Sequence, residues 1–297
     1  MLSVVIPSRN EQFLRKTIED LLIKAEGEVE VIVILDDFQP TETALLKDPR
    51  VRYIPFDTPV GLRHGMNVGV DAAKGEFIMK SDGHCMFDEG FDVKLAADCQ
   101  KNWIVVPRRK RLDAENWCVQ DVGKVDVDYE HISFPDNPSD FGGAGLHTRQ
   151  WNKRTVERLN KPEYMIDDDM TYQASVWFIP KKYYYELELM DEKRYGIFFN
   201  EAQEEVLKCW LSGGRVVVNK NTWFAHLKKG KKYPRGYFIN NQDLTRGTEA
   251  IMEWTTNSAW DKQTLPFSWL IEKFWPVPGW PENWRELLWG KKGEPWK

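Results

Sequence analysis

The sequence has few cysteines, no long apolar run and no excess of positive charge. Its 297 residues include only 4 cysteines, and none of them has the C-x-x-C spacing of a zinc site. They are also too few for a disulfide framework, so we expect a reduced, cytoplasmic protein. No apolar run approaches the ~20 residues that span a bilayer, and the N-terminal stretch is typical of a strand rather than of a signal peptide. We therefore expect no stable membrane association.

The charge balance limits the partners of the whole chain. The formal net charge is −5, so the protein has no overall attraction for nucleic acid, and such binding would need a local basic patch. The remaining composition, with 42% hydrophobic and 29% charged residues, is typical of a folded protein, although 14 tryptophans is a high number.

Short β-branched runs alternate with a helical pattern in the first part of the chain. Leu2–Pro7 and Val29–Leu35 predict strands, and the apolar spacing within Glu11–Ala25 predicts a helix between them. A third strand is predicted at Val51–Phe56, and a fourth ends just before Asp82. Near-continuous apolar strands joined by helices indicate a parallel sheet that is covered on both faces and binds ligands at the carboxyl ends of its strands. The predicted fold class is therefore α/β, with polar residues following several strands at one edge.

The rest of the chain is less regular. Further strands are predicted at Trp103–Pro107, Ala174–Pro180 and Gly214–Asn219. After about Asn240 a tail rich in Trp and Pro begins, without clean periodicity. We predict a main domain at 1–240, with halves at 1–110 and 111–240, and a C-terminal appendage at 241–297 packed on the core.

Asp82 and His84 flank Gly83 directly after the fourth predicted strand. From such a tight turn both side chains can point toward the crevice at the strand ends. A carboxylate and an imidazole together suit Mn²⁺ or a similar cation better than Ca²⁺, which prefers oxygen ligands alone. A cation held there would neutralise a departing diphosphate. An isolated Asp-x-His more often only ends a strand, so the surrounding pattern decides between the two interpretations.

Several short segments follow one another in a recognisable order. In the first half they are Val4–Pro7 with Asn10 and Glu11, Val33–Asp37, Gly61–Arg63 with Asn67, and Ser81–His84. This series resembles the nucleotide-sugar-binding half of family 2-like GT-A glycosyltransferases, and its Asp-x-His variant resembles in particular the polypeptide N-acetylgalactosaminyltransferases. Three later segments extend the resemblance. Ser175–Tyr183 resembles the segment of that family that forms the floor under the sugar, and Glu201–Glu204 resembles its Gly-Glu-Asn-x-Glu helix. His226–Lys229 resembles its late metal-binding histidine and the basic residues that follow it. The resemblance covers roughly residues 2–236 and implies a GT-A, Rossmann-like fold with a mainly parallel sheet flanked by helices.

The resemblance implies a role for each matching residue. Asp82, His84 and His226 would hold Mn²⁺ or Mg²⁺, and Lys229 would stabilise the leaving diphosphate of a UDP-sugar. Glu201 would hydrogen-bond the transferred sugar, and Glu204 would orient its neighbours from the next helical turn. The residues implied for the nucleotide side, together with Asp82 and Lys229, are Pro7, Arg9, Glu11, Asp36, Asp37 and Arg63.

Simpler structural roles compete with several of these assignments. Asp36 and Asp37 could simply end a strand, and Arg63 could belong to a surface ion pair. Glu201 and Glu204 could lie on a solvated helix face.

The chain departs from the inverting pattern beside Glu201. Inverting members of family 2 usually place an Asp directly after the corresponding Glu as the catalytic base, whereas Ala202 stands here. The base required for simple inversion is therefore not evident, which favours a retaining reaction with attack from the face that the leaving group occupies. The lectin domain and membrane anchor of the Golgi relatives are not seen in the sequence, so the acceptor need not be a protein.

Two basic clusters, Arg108–Arg111 and Lys228–Arg235, bear on the acceptor. Basic residues interleaved with aromatic ones can hold a phosphate backbone and stack on bases, so DNA with a hydroxymethylated, flipped-out base is one candidate acceptor. The second cluster could instead, or in addition, form a lid over the donor diphosphate. A cell-surface or lipid-linked glycan is the alternative acceptor, with Trp254, Trp260 and Trp269 as stacking platforms unless they pack in the core. A nucleotide-sugar-binding protein without transfer activity is the remaining alternative.

Overall fold

The computed structural model describes residues 1–41, 45–121, 123 and 125–296. The strands are β1 (Leu2–Ser8), β2 (Val29–Asp36), β3 (Val51–Phe56), β4 (Phe77–Ser81), β5 (Cys85–Phe87), β6 (Trp103–Asp113), β7 (Cys118–Val119), β8 (Glu130–Ile132), β9 (Thr148–Gln150), β10 (Ile166–Asp168), β11 (Val176–Pro180) and β12 (Arg215–His226). The helices are α1 (Leu14–Lys24), α2 (Gly61–Ala72), α3 (Phe91–Asp98), α4 (Asn152–Glu157), α5 (Lys181–Glu186), α6 (Glu192–Tyr195), α7 (Glu201–Leu211), α8 (Asn241–Met252), α9 (Phe267–Phe274) and α10 (Trp284–Trp289). No helix within these residues is long and apolar enough to cross a bilayer.

One large sheet organises the described part of the chain. It is 10-stranded, in the order β10-β12-β6-β11-β4-β1-β2-β3, with β5 beside β12 and β7 beside β6. β1 is parallel to β2 and β4, β2 is parallel to β3, and β12 is parallel to β6. Because β11 is antiparallel to both β4 and β6, these two strands also point the same way. The carboxyl ends of β1, β2, β4, β6 and β12 therefore lie at one edge, and the predicted mainly parallel α/β fold is confirmed.

Both faces of the sheet are buried, which explains the continuous apolar runs of its strands. Val4 and Ile6 of β1 pack in one core cluster with α1 and α3, whereas Val5 packs in the other with α2. Gly69 lets α2 approach closely, because a Cβ there would lie 2.3 Å from the Val5 side chain. The alternation of a strand's side chains thus divides the core into two layers.

Two strands are longer than the sequence predicts. β6 runs six residues beyond Pro107, to Asp113, and β12 continues beyond Asn219 to His226. Their parallel pairing persists through an irregularity between Asn219 and Trp223, so the backbone ladder extends across polar residues. As a result, the basic cluster Arg108–Arg111 lies inside β6 rather than in a loop after a strand.

The C-terminal tryptophans belong to the protein core. Trp254 and Trp284 lie in the same buried cluster as Trp177 of β11. Trp260 is also buried, and Trp269 is only partly exposed and packs against the core. Since large aromatic rings are stabilised by leaving water, these residues fill the core and do not form the exposed sugar platforms considered for a glycan acceptor.

Removing one of these rings should destabilise the whole fold. Trp254 is 0% exposed, and its indole nitrogen donates a hydrogen bond to the Tyr195 hydroxyl at 2.9 Å. We expect Trp254→Ala to lower the free energy of unfolding by about 3–5 kcal/mol in urea denaturation. Trp296→Ala, at a position 45% exposed, is the control and should cost less than about 1 kcal/mol. Equal stability of the two variants would show that the tail is not part of the core.

Candidate active site

Three side chains with metal-ligand chemistry meet at the carboxyl edge of the sheet. Asp82 follows β4, His84 precedes β5, and His226 ends β12. β5 pairs antiparallel with the last residues of β12, which places His226 opposite Cys85 and so beside His84. One ligand atom from each of the three residues lies within 4.8 Å of the other two. The structure therefore brings together the three residues that the sequence nominated as metal ligands.

The distances fit one divalent cation. Asp82 Oδ2 is 3.1 Å from His226 Nε2 and 3.8 Å from His84 Nε2. Two ligands that are each about 2.1 Å from an ion lie at most about 4.2 Å apart, so only small shifts are needed to share it. One carboxylate oxygen and two imidazole nitrogens form a donor set that suits Mn²⁺.

Glu11 orients the first histidine. Its Oε2 lies 3.0 Å from His84 Nδ1, which turns Nε2 toward Asp82. The same oxygen accepts a hydrogen bond from Lys229 Nζ at 2.8 Å. Burial by itself raises the pKa of Glu11, but His84 and Lys229 together bring it below its usual value. Glu11 thus lines the cleft as expected, but its carboxylate supports His84 and Lys229.

Lys80 is a site residue that the sequence analysis did not single out. Its ammonium contacts Asp82 Oδ1 and donates to the Ala174 carbonyl oxygen. Burial raises the pKa of Asp82, but the Lys80 charge and a hydrogen bond with His226 hold it well below its usual range. A lysine inside the apolar strand β4 was the available signal, since a buried ammonium requires an anionic partner.

His226 is held in its neutral form. Burial lowers the pKa of its imidazole to about 4, despite the opposing effect of Asp82. At neutral pH it therefore carries no charge, which is the form that ligates metals.

A cleft of about 1060 Å³ opens beside these ligands. Glu201, the first residue of α7, lies on its wall, as does Lys229. Of the residues predicted for the nucleotide, those on the wall are Pro7, Arg9, Glu11, Asp36 and Asp82. Most of the residues predicted to bind the nucleotide sugar therefore line the same cleft.

The two aspartates after β2 have different surroundings. Asp36 is buried and accepts hydrogen bonds from the backbone N–H groups of Val60 and Gly61, so it fixes the start of α2. Asp37 is exposed and pairs with Arg9 at 3.2 Å. Asp36 lines the cleft while its carboxylate is already engaged, and Asp37 reaches the cleft only through Arg9.

Arg63 does not lie where the sequence predicts, and Glu204 is not on the solvated helix face that was considered as its simpler role. Both side chains are 0% exposed and form an ion pair with each other, Arg63 Nε to Glu204 Oε2, at 3.1 Å. Glu204 also accepts a hydrogen bond from Lys208 at 2.8 Å. The expected contact of Arg63 with the nucleotide is therefore wrong for this structure, and the solvated helix face is wrong for Glu204. The reason is that two buried charges stabilise each other behind the cleft wall.

The basic cluster on β6 is largely neutralised. Arg108 makes two hydrogen bonds to Asp128, at 2.6 and 2.9 Å, and Arg109 pairs with Glu130 at 2.9 Å. Lys110 lies 3.5 Å from Asp126. The acidic chain at 126–130 packs beside β6 and pairs with these cations. Arg109 and Lys110 still line the cleft, so their expected contact with an acceptor stays a prediction.

The first part of the chain, residues 3–136, matches the family described as Glycosyl transferase family 2. This segment is a family 2 glycosyltransferase domain. It contains Asp82 and His84, whereas Glu201 and His226 lie beyond the matched residues. No curated protein matches the chain significantly in sequence.

Solved structures share the fold of the family 2 domain and of the residues that follow it. GalNAc-T7, solved with UDP, GalNAc and Mn²⁺, has a TM-score of 0.71 and 17% identity over 92% of this chain and 56% of its own. S. aureus TarS, residues 1–349 with UDP-GlcNAc, has a TM-score of 0.53 and 14% identity over 88% of this chain and 68% of its own. The chain thus spans little more than half the length of GalNAc-T7. These likenesses confirm the GT-A fold and the resemblance to family 2-like enzymes and N-acetylgalactosaminyltransferases.

The low pKa of His226 should appear in the stability of the metal-free protein. Between about pH 6.5 and pH 4 the unfolded chain protonates this histidine and the folded chain does not, so stability must fall as the pH falls. The shift corresponds to about 3 kcal/mol over that window. Urea denaturation with a chelator at pH 7, 6, 5 and 4.5 should show this loss, and His226→Gln should lose about 2–3 kcal/mol less. If the free energy of unfolding depends on pH identically in both proteins, the pKa of His226 is not lowered in the folded state.

Proposed function

We propose that this protein transfers a sugar from a UDP-sugar to a hydroxyl acceptor, with a divalent cation held by Asp82, His84 and His226. The observation that carries the proposal is the convergence of these three ligands beside Glu201 and Lys229 in one cleft of a GT-A fold. The family 2 domain at residues 3–136 supports the reaction class. The UDP and UDP-GlcNAc in the names of the two similar structures support a UDP-sugar as the donor.

The cation is assigned to Mn²⁺, with Mg²⁺ as the alternative. Two imidazole ligands favour Mn²⁺, because Mg²⁺ prefers oxygen donors. When bound, such an ion neutralises the charge that develops on a departing diphosphate. The neutral His226 and the ionised Asp82 are the ligand forms this requires at neutral pH.

Lys229 and Glu201 are assigned to different parts of the donor, the diphosphate and the sugar. Lys229 is assigned to the leaving diphosphate, and its ion pair with Glu11 holds its ammonium beside the metal ligands until the donor arrives. Glu201 is half-buried at the start of α7 and is assigned to the transferred sugar. Pro7, Arg9 and Asp36 are assigned to the nucleotide side of the cleft.

Retention of configuration at the anomeric carbon is the proposed outcome. The residue after Glu201 is Ala202, which is buried and offers no base, and this supports front-face attack by the acceptor hydroxyl. The anomeric configuration of the product, read by NMR, tests this part of the proposal.

DNA with a hydroxymethylated base is the proposed acceptor. The cations that support it are those on the exposed segment after β12, namely Lys228, Lys231 and Arg235. Among the described residues none of the three has an ion-pair partner within 4 Å, and Lys228 and Arg235 lie on the cleft wall. Exposed cations beside Tyr233 and Tyr237 match the pattern by which proteins hold a phosphate backbone and stack bases. The same segment is also suited to close over the donor diphosphate.

Two other functions make different predictions. A glycan acceptor would bind without strong salt dependence, but the buried Trp254 and Trp260 remove the platforms that supported it. A nucleotide-sugar-binding protein without activity would bind UDP and Mn²⁺ but would neither transfer nor hydrolyse the sugar.

The metal assignment predicts a sharp loss of turnover. Hydrolysis of a panel of UDP-sugars by the wild-type protein should require Mn²⁺ and stop in EDTA, and Asp82→Ala and His84→Ala should each lose at least about a hundredfold in rate while staying folded. Glu201→Gln is the matched contrast: it should keep UDP affinity within about threefold and lose turnover, since its assigned partner is the sugar. Full activity of the Asp82 or His84 variant in excess EDTA would refute the metal site.

The DNA proposal predicts salt-dependent binding that depends on the segment after β12. Fluorescence anisotropy with single-stranded and duplex DNA should show affinity falling steeply between 50 and 200 mM salt, by about a factor of ten for each few phosphates contacted. The variant Lys231→Glu should reduce DNA affinity and leave UDP-sugar hydrolysis within about twofold. Charge reversal at Lys153, an exposed lysine on α4, is the control and should change neither property. If the wild-type protein shows no salt-sensitive DNA binding, the proposal of a DNA acceptor is wrong and a glycan becomes the leading candidate.

A further inference from the structure

Lys80 has no role in the sugar transfer proposed above, yet its ammonium contacts Asp82, one of the three candidate metal ligands. It is the fourth residue of β4, between β1 and β11, where it pairs with Val5 and Trp177. Only 2% of its side chain is exposed. A buried ammonium is costly unless an anion compensates it, so its position has to be explained by what it contacts.

The two oxygens of Asp82 have different partners. Oδ1 contacts the Lys80 ammonium, which also donates to the Ala174 carbonyl. Oδ2 faces the two histidines, at 3.1 Å from His226 and 3.8 Å from His84. The carboxylate is therefore divided between a cation that is built into the sheet and the ligand cluster that faces the cleft.

The charges around the ligand cluster nearly cancel. Glu11 is paired with Lys229 at 2.8 Å, and Asp82 is paired with Lys80. Glu201 and Lys228 both lie on the cleft wall and carry opposite charges. A free divalent cation would therefore meet two imidazoles and an already compensated carboxylate. A nucleotide diphosphate would bring the missing negative charge with it.

We propose that Lys80 is an internal counter-ion that keeps the Asp82 site weak toward a free divalent cation, so that cation binding depends on the diphosphate of the nucleotide. The inference rests on the proposed function, because it takes Asp82, His84 and His226 as the ligands. Lys80 acts through Asp82 and is therefore a positioning residue. The coupling is reciprocal: the factor by which UDP tightens Mn²⁺ binding equals the factor by which Mn²⁺ tightens UDP binding.

Isothermal titration of MnCl₂ into the protein, with and without saturating UDP, tests this role. For the wild-type protein we expect Mn²⁺ to bind at least about tenfold more tightly with UDP, after correction for Mn²⁺ bound by UDP in buffer. Lys80→Met removes the charge and keeps the length of the side chain. Without UDP this variant should bind Mn²⁺ about tenfold or more tightly than the wild type, because a unit positive charge next to the carboxylate is gone. The increase in Mn²⁺ affinity that UDP causes should be smaller in this variant than in the wild type.

Lys220→Met is the matched control. Lys220 is also buried, in β12, and its ammonium bonds the Tyr129 hydroxyl at 2.9 Å. This variant should show the wild-type Mn²⁺ affinity both with and without UDP, which separates the counter-ion effect from the loss of any buried lysine.

The outcomes distinguish the inference from the function on which it rests. Equal Mn²⁺ affinity with and without UDP in the active wild-type protein would overturn the counter-ion role alone. Unchanged Mn²⁺ affinity in folded Lys80→Met would do the same, and the wild-type comparison stands even if that variant does not fold. If the wild type binds no UDP with or without Mn²⁺, the proposed function and the inference both fail.

Discussion

The pairing of β12 with β6 and with β5 is the constraint on which the site depends. Its parallel pairing with β6 carries the strand to the carboxyl edge of the sheet, and β5 then pairs with its last residues. His226 thereby reaches Asp82, which is 144 positions away in sequence. A backbone ladder positions the imidazole more rigidly than a loop would, which a metal ligand requires. The local turn at Asp82 and His84 would otherwise offer only two ligands.

Several buried charged groups near the cleft each have a fixed hydrogen-bonding or ionic partner, and these partners decide which groups remain to meet a ligand. Asp36 holds the start of α2, Glu11 holds His84 and Lys229, and Glu204 holds Arg63. Such pairs compensate the cost of removing charges from water and keep the cleft wall ordered. Lys80 belongs to the same pattern, with the difference that its partner is also a candidate metal ligand.

The C-terminal segment supports the site from behind. Trp210 of α7 packs edge-to-face on Phe274 of α9, with ring centroids 5.6 Å apart. Trp254 donates to Tyr195, whose ring lies under the Arg63 guanidinium. The helix that begins at Glu201 is thus held by residues beyond 240, and the position of the cleft wall at Glu201 depends on them. This ties the stability of the tail to the geometry of the cleft, since helix α7 cannot shift without disturbing that core.

The sequence by itself determined the α/β class, the strand end that carries Asp82 and His84, and the GT-A resemblance that nominated His226. It could do so because these signals are local: apolar periodicity, residues that directly follow a strand, and short ordered segments. Only the tertiary structure decided that Arg63 meets Glu204, 141 positions away, and that Asp126, Asp128 and Glu130 neutralise the cluster on β6. It also decided that Lys80 faces Asp82 and that the tryptophans are buried. These outcomes depend on which distant side chains share a low-dielectric interior, and no periodicity along the chain encodes such partnerships.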